Sequence, residues 1–465
     1  MTNSNNPEIN NSALPPLLPI ILAGGSNLEQ WPLSRINMPI QFQRAHQKES
    51  AFEQVLKGVS QLHHSLPPII TLPSAALEIG RQQFSSAKGF PEAKLIVEPV
   101  DRGTLIAVIT TTLIAATIDR TAMMVFIDAS QPPTDWGAFS RLVYQTQNSS
   151  IAQESIVLCG QPLEYKNASL RSVEKAQPSS DPLLFNFQST SSNTEEKTFE
   201  IGAVTFATPR VMIDKLQSLC PTMMSAANLA LQQAETRKNT LWPGLNIWAA
   251  QPTQNFARTF AKNTHSTLLR PIDLQQDKPK RTSPSRLIFE QENLDCSITS
   301  NGHLLAVAGC ENLHIVSTPD VTLIANKNNL QTIAPIITKL HAYERREVFD
   351  FPIRTQQWGQ QREIDCQKGY SIVRLEITPG SSIPPHLHNH RAESWHVLSG
   401  GGEAIIDNMS RTVMQGISLD IPRNTVHTCK NTGEVPLVIM ETRFGSLINE
   451  TDSVAFELHR PFADA

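Results

Sequence analysis

Four side chains late in the sequence have the types and the spacing of a metal site. His386 and His388 are two residues apart, so both imidazoles would point to the same face of a β-strand. Glu393 follows after a short turn, and His427 lies further along the chain. Neutral imidazole and carboxylate are ligands that divalent Zn, Fe, Mn and Co accept. The spacing therefore predicts that these four residues bind one divalent metal ion.

The segments that carry these residues resemble the two halves of the cupin signature. The first half runs from Gly380 to Gly400, and the second half runs from Gly416 to Asn431. In proteins with this signature, a small β-barrel holds one metal ion on three histidines and a glutamate. Short runs of strand character around both halves predict such an antiparallel barrel here. The alternative is that the four side chains line the barrel without binding a metal.

Composition and charge exclude several classes of partner. With 465 residues and a net charge of −4, the chain gives no electrostatic reason to bind nucleic acid or an anionic membrane. Six cysteines are scattered without a close pair, which indicates neither a disulfide framework nor a thiolate zinc site. The apolar run over residues 105–118 is too short to cross a bilayer and predicts a buried helix. We expect a cytoplasmic protein whose residues 1–16 form a flexible lead.

The first half of the chain has the pattern of an α/β domain. An apolar run of strand length over residues 17–23 leads into Gly24 and Gly25. A buried strand followed by a glycine turn is typical of a phosphate-binding unit. Further apolar runs alternate with helix-like segments, which favours a doubly wound parallel sheet.

Two segments of this domain resemble loops of the mannose-1-phosphate guanylyltransferases. They are Leu22-Ala23-Gly24-Gly25-Ser26 with Trp31-Pro32-Leu33-Ser34-Arg35, and Glu98-Pro99-Val100-Asp101-Arg102-Gly103-Thr104. The long form of that family carries a C-terminal cupin with mannose-6-phosphate isomerase activity, and the order of parts here agrees. In the cupin, residues 388–395 resemble the family segment His-His-His-Arg-Ala-Glu-His-Trp.

The resemblance implies a fold, a domain plan and a set of ligands. It implies a nucleotidyltransferase-like (Rossmann-like) α/β domain over residues 17–275, a small β connector over 276–345 and a cupin β-barrel over 346–465. The ligand would be a sugar phosphate or a nucleotide sugar, Mg²⁺ would enter with GTP only if the first domain is active, and a homo-oligomer is left open. The implied remnant of a nucleotide site comprises Gly24, Gly25, Arg35, Glu98 and Arg102.

Departures from the family pattern predict that the first domain has kept the fold without the chemistry. Glu29 stands where the family loop has an arginine, and Ile40 replaces a lysine. Phosphoryl transfer depends on cations around the phosphates, so both changes oppose it. The metal-binding aspartate expected after the fourth strand is replaced by Ser130 in one register, whereas Asp128 could substitute for it in another.

In the cupin, Arg391 matches a family arginine beside the metal and is the candidate catalytic residue for substrate charge. The alternative is a structural salt bridge with a neighbouring carboxylate. A family lysine is replaced by Val373, which shares one strand face with Leu375 and Ile377. Three hypotheses follow: a metal-dependent isomerase with a silent guanylyltransferase site, a non-catalytic regulatory or partner-binding relative, and an enzyme that retains both activities.

Overall fold

The computed structural model describes residues 14–44, 49–62, 65–87, 90, 92–162, 173–178, 185–187, 197–261, 267–271, 287–301, 303–356, 358–448 and 452–456. The chain divides into two compact units, Met1–Asp350 and Phe351–Ala465. Most of the predicted flexible lead and the predicted boundary near residue 275 lie outside the described residues.

The first unit is built on a mixed sheet of eleven strands. The strand order is β5-β11-β7-β6-β8-β4-β1-β2-β3-β10-β9. Strands β3, β2, β1 and β4 are parallel neighbours, and β8 pairs antiparallel with β4. The strands are β1 (Leu17–Leu22), β2 (Ile69–Pro73), β3 (Lys94–Glu98), β4 (Met123–Asp128), β5 (Ile156–Pro162), β6 (Val173–Pro178), β7 (Phe185–Phe187), β8 (Lys197–Ala207), β9 (Glu235–Arg237), β10 (Thr240–Trp242) and β11 (Thr267–Pro271).

Both faces of this sheet are buried. Along β1, Leu18 and Ile20 belong to one apolar core, while Leu17 and Ile21 belong to the other. This alternation is why β1 has the continuous apolar sequence of a parallel strand covered on both sides. The helices are α1 (Ala51–Val59), α2 (Leu77–Ser86), α3 (Thr104–Ile118), α4 (Trp136–Gln147), α5 (Ser150–Gln153), α6 (Pro209–Leu219), α7 (Pro221–Gln232), α8 (Leu245–Ala249) and α9 (Phe256–Ala261), with 3-10 turns at Leu28–Gln30, Ile40–Phe42 and Ser74–Ala76.

Helix α3 is the buried helix that the sequence predicts. It begins after Gly103, whose φ of 72° and close approach to the Gln254 carbonyl both require glycine. Most of its residues are buried. Within the described parts of the chain, no helix combines the length and hydrophobicity needed to span a bilayer.

The connector packs as part of the first unit. Two pairs of its strands run parallel, β12 with β14 and β13 with β15, and β16 adds antiparallel to β15. Val316, Leu323 and Ile337 share an apolar cluster with Trp31 of the first domain. The elements are β12 (Ile288–Gln291), β13 (Ser297–Ser300), β14 (Leu305–Ala308), β15 (Leu313–Ser317), β16 (Thr322–Asn326), a 3-10 turn at Leu330–Thr332, α10 (Ile333–Ala342) and α11 (Arg346–Phe349).

The second unit is the β-barrel expected for a cupin. Its two sheets have the orders β17-β18-β19-β26-β21-β24 and β23-β22-β25-β20-β27. Their inward residues form one apolar core that includes Val373, Leu375 and Ile377, as the sequence predicts. The strands are β17 (Ile353–Gln356), β18 (Gly359–Gln367), β19 (Tyr370–Ile377), β20 (His386–His388), β21 (Arg391–Ser399), β22 (Gly401–Ile406), β23 (Met409–Met414), β24 (Ser418–Ile421), β25 (His427–Asn431), β26 (Leu437–Gly445) and β27 (Ser453–Ala455).

Candidate functional site

Three histidines meet inside the barrel. Strand β20 carries His386 and His388, and His386 is the direct antiparallel partner of His427 on β25. The ring centroids are 4.3 Å apart for His386 and His427, 4.8 Å for His386 and His388, and 5.3 Å for His388 and His427. One nitrogen of each ring lies within 4.8 Å of the others, which is close enough for one ion to contact all three.

Backbone carbonyls fix the tautomer of each histidine. The Nδ1 atoms lie 2.7 Å from the Pro384 carbonyl for His386, 3.3 Å from the Asp452 carbonyl for His388 and 2.9 Å from the Thr425 carbonyl for His427. A carbonyl only accepts, so each Nδ1 donates, and in the neutral form of each ring Nε2 keeps its lone pair. Metal-binding histidines are commonly held this way by their second ring nitrogen.

Glu393 completes the predicted set of four. Its Oε1 lies 3.0 Å from His388 Nε2, and its Oε2 lies 3.3 Å from His427 Nε2. Among the described residues, Glu393 Oε2 and His427 Nε2 are buried atoms without a hydrogen-bond partner. Two acceptors facing each other need a cation between them, either a proton on His427 or a metal ion. The donor set therefore fits a divalent metal.

Electrostatics keep two of these ligands in the state that binds metal. Burial, assisted by the charge of His427, lowers the pKa of His386 to about 4, so this ring is neutral at neutral pH. Burial raises the pKa of Glu393, but the adjacent His388 and His427 rings outweigh burial and hold this pKa well below its ordinary value. Glu393 is consequently ionised. Burial lowers the pKa of His427, and the Glu393 carboxylate reverses that effect and raises it.

Arg391 contacts Glu393 and His388, two of the four candidate metal ligands His386, His388, Glu393 and His427, which we call the metal set. Its side chain is 1% exposed, and its Nε donates to Glu393 Oε1 at 2.9 Å. Its Nη1 donates to the Ile448 carbonyl at 3.2 Å, and its Nη2 lies 3.2 Å from His388 Nε2. This geometry favours the structural salt bridge over direct substrate binding, because the guanidinium orients a ligand carboxylate.

Sequence reasoning missed three further residues of the site. Asp452 holds the turn after β20, because its carboxylate accepts from the backbone N–H groups of Asn389 and His390. Glu441 and Arg443 on β26 are buried beside the metal set. Their signal was present in the sequence: they continue the alternation that begins with the inward residues Leu437 and Ile439.

In the first unit, the glycine loop lies against two carboxyl groups. A Cβ on Gly24 would lie 1.9 Å from Glu98 Oε1, so only glycine fits there. Burial raises the pKa of Glu98 to about 8, and the neighbouring Asp101 acts in the same direction. The Asp101 carboxylate accepts from Ser26 N at 2.9 Å, Ser26 Oγ at 2.8 Å and Gly103 N at 2.9 Å. Backbone N–H groups of this kind are what a phosphate would use.

The two arginines predicted for the nucleotide site bind other parts of the protein. Arg35 is fully buried, and its Nη2 donates to Asp320 Oδ1 at 3.0 Å and to Thr318 at 3.3 Å in the connector. Arg102 donates through Nε and Nη2 to the Ala249 carbonyl at 2.9 and 2.7 Å. The structure thus brings Gly24, Gly25 and Glu98 together. The guanidinium groups of Arg35 and Arg102 instead bind Asp320 and the Ala249 carbonyl. Asp128 ends β4 beside the end of β1, where the alternative register would need it.

Comparisons with known proteins agree with both units. Residues 344–458 match the family model for the C-terminal part of mannose-6-phosphate isomerase. Over 95% of this chain, the sequence is 24% identical to the alginate biosynthesis protein AlgA of Pseudomonas fluorescens, of which 96% is covered. It is also 24% identical to the mannose-1-phosphate guanylyltransferase of Salmonella montevideo, over 95% of this chain and 98% of that protein.

A solved structure described as mannose-1-phosphate geranyltransferase from Thermus thermophilus aligns with 70% of this chain and 99% of its own. The TM-score is 0.50 at 15% identity, which is a likeness of fold. Residues 344–458 match a mannose-6-phosphate isomerase C-terminal domain, and the whole chain is similar, nearly end to end, to AlgA and to a mannose-1-phosphate guanylyltransferase.

Proposed function

We propose that the second unit is a metal-dependent isomerase of a sugar phosphate, interconverting mannose 6-phosphate and fructose 6-phosphate. The observation that carries this proposal is the convergence of three Nε2 lone pairs and the Glu393 carboxylate beside a cavity of about 250 Å³. The matching family model and the relatives' names supply the substrate class.

His386, His388, His427 and Glu393 would hold the metal, which we take to be Zn, Mn, Co or Fe. When bound, a divalent cation supplies Lewis-acid stabilisation of negative charge on sugar oxygens. The protein contributes the orientation of the ligands. The Pro384, Thr425 and Asp452 carbonyls hold the rings, and Arg391 holds the Glu393 carboxylate.

We further propose that the first unit does not make GDP-mannose. Glu29 and Ile40 take the places of two cations, and Asp101 supplies a carboxylate to the loop that would receive phosphate. Mg²⁺ with GTP would be needed only if this unit were active. The six cysteines, all of them free thiols, fit a reducing compartment, and we place the reaction in the cytoplasm. A homo-oligomer stays a prediction.

The test combines metal analysis with an isomerase assay on protein purified without a metal-affinity tag. We expect about one divalent metal per chain and turnover of mannose 6-phosphate. His388→Ala should lose both. His396→Ala is the matched control, because His396 lies on β21 but points outward to Ser418 at 2.8 Å.

The outcomes separate the hypotheses. Metal without turnover would favour the non-catalytic relative, which binds a sugar nucleotide or a partner protein. A wild type that stays metal-free after reconstitution would show that the four side chains only line the barrel. Release of pyrophosphate from GTP with mannose 1-phosphate would show that both activities survive.

A further inference from the structure

The cavity beside the metal set contains a second carboxylate. Its volume is about 250 Å³, and His386, Arg391, Trp395, Glu441 and Arg443 contribute to its wall. Sugar isomerisation moves a proton between C1 and C2, so it needs a group at the cavity that can accept and return a proton. Among the described residues that line this cavity, Glu441 is the carboxylate outside the metal set.

Glu441 is held rigidly. Its side chain is 4% exposed, its Oε2 accepts from Trp395 Nε1 at 2.8 Å, and its Oε1 accepts from Arg443 Nε at 2.5 Å. Trp395 is itself 1% exposed, so it can hardly move. Each oxygen of this carboxylate accepts one fixed donor and has a second lone pair to spare, so the group is preorganised for proton transfer.

The charges around Glu441 are arranged in pairs. Arg391 pairs with Glu393, and Arg443 pairs with Glu441 while also lying 3.9 Å from Glu393 Oε1. Burial raises the pKa of Glu441 above its ordinary value, and Arg443 opposes that rise. A carboxylate with raised proton affinity is a stronger base than an exposed one.

We propose that Glu441 is the catalytic residue that transfers the proton in this isomerisation, and that Arg443 and Trp395 are positioning residues for its carboxylate. The inference rests on the proposed function. In the direction from aldose to ketose, Glu441 takes the proton from C2, and the electron pair of that C–H bond forms the C1–C2 double bond of an enediolate whose charge lies on O1. The proton on Glu441 then returns to C1, the hydroxyl proton of O2 passes to O1, and O2 becomes the carbonyl oxygen of the ketose. The step is internal to the sugar and uses no oxidant or reductant.

The decisive variant is Glu441→Gln, which keeps the shape and an acceptor for Trp395 but cannot take a proton. We expect kcat to fall by about 10²–10⁴-fold, with KM and metal content little changed. In D₂O, solvent deuterium at C1 of fructose 6-phosphate from the wild type would show that a protein base carries the proton, because the proton on Glu441 can exchange with solvent before it returns. Glu376→Gln is the matched control, since Glu376 is a half-buried carboxylate on β19 paired with Arg374 at 2.7 Å.

Chemical rescue distinguishes chemistry from structural damage. In Glu441→Ala, added formate should restore part of kcat, because the deleted side chain leaves room for a small carboxylate. Arg443→Gln should shift the pH profile of kcat toward higher pH, since Arg443 lowers the pKa of Glu441. A structural role alone would produce neither result.

The two proposals fail in different ways. Metal-loaded wild type without turnover would overturn the proposed function and the role of Glu441 together. Turnover in the wild type with Glu441→Gln retaining more than about a tenth of kcat would overturn only the role of Glu441.

Discussion

Ser26 and Asp101 are bound to each other by two hydrogen bonds. The backbone N–H of Ser26 donates to Asp101 Oδ2 at 2.9 Å, and the Ser26 hydroxyl donates to the same oxygen at 2.8 Å. Asp101 Oδ1 accepts from Gly103 N at the start of α3. A side chain of this protein thus takes the donors that a phosphate group would otherwise use, and its negative charge repels a phosphate.

Asp101→Asn should therefore bind GTP with Mg²⁺ more tightly than the wild type, on the order of tenfold, because one repulsive charge is removed. Calorimetric titration measures the difference. Asp119→Asn is the control, since Asp119 makes a similar pair of bonds to Thr121 at the other end of α3. Equal affinities in all three proteins would contradict this account, as would efficient GDP-mannose synthesis by the wild type.

Arg391→Ala should destabilise the second unit by about 3–5 kcal/mol, because it leaves the buried Glu393 carboxylate without its guanidinium partner. It should also reduce isomerase activity more than any substitution in the first unit. Denaturant unfolding and the isomerase assay measure the two effects.

The matched control for Arg391 is Arg374→Ala. Arg374 pairs with Glu376 at 2.7 Å but is 34% exposed, so its loss should cost under about 1 kcal/mol. If the two variants have the same stability, the buried pair does not act as described.

Val373→Lys should lower the free energy of unfolding by a few kcal/mol, because Val373 is 3% exposed within the apolar core. Val373 lies directly opposite Glu441 in the strand register. A lysine at position 373 would compete with Arg443 for the Glu441 carboxylate. Adding Arg443→Gln to Val373→Lys should therefore restore part of the lost free energy of unfolding. A gain in isomerase rate in Val373→Lys would show that the lysine alone was missing.

Val397→Lys is the comparison for position 373. Val397 is equally buried, but Ile439 lies opposite it in the register. Adding Arg443→Gln to Val397→Lys should therefore lower the free energy of unfolding further. Recovery at both positions would mean that the effect does not depend on the register.

Glu98→Gln should change how the stability of the first unit depends on pH. The folded pKa of Glu98 is about 8 against an ordinary value of 4.5, so the folded state holds a proton that the unfolded state releases. The stability from this proton is complete below pH 4.5 and is lost as the pH rises toward 8, by up to a few kcal/mol. The free energy of unfolding should therefore change less with pH in Glu98→Gln than in the wild type between pH 4.5 and 8.

The control is Glu78→Gln, because Glu78 is exposed on α2. The free energy of unfolding of this variant should depend on pH as it does in the wild type. If the free energy of unfolding depends on pH in the same way in the wild type and in Glu98→Gln, the raised pKa of Glu98 is contradicted.

Much of the fold could be predicted because its signals are local. Helix α3 (Thr104–Ile118) covers the apolar run over residues 105–118 that predicts it, and Val373, Leu375 and Ile377 share the face that strand alternation assigns to them. The four candidate ligands converge because their spacing matches the pleat of β20 and the start of β25. One local pattern misleads: the Ser, Gln, Asn and Pro content of residues 176–197 is typical of a loop, but this stretch contains β7 and the end of β6.

The rest depends on contacts between distant residues, which composition and spacing do not encode. Arg35 has the sequence context of a nucleotide loop, yet it binds Asp320, 285 residues away. The apolar pattern of Leu437–Glu441 predicts a strand that ends at Glu441, but β26 continues to Gly445 and so places Arg443 on the same face as Glu441. The hydrogen bonds between Ser26 and Asp101 likewise join residues that lie 75 positions apart in the sequence.

The pairing of β27 with β20 makes the candidate metal site depend on contacts between residues far apart in the sequence. The His388 ring is oriented by the carbonyl of a residue 64 positions later, and Ser453 pairs with His388 in the register. Closing a loop of this length costs conformational entropy that no local propensity offsets. Tight metal binding should therefore require that β27 is paired with β20. A partly folded state in which β27 is not paired should bind the ion weakly.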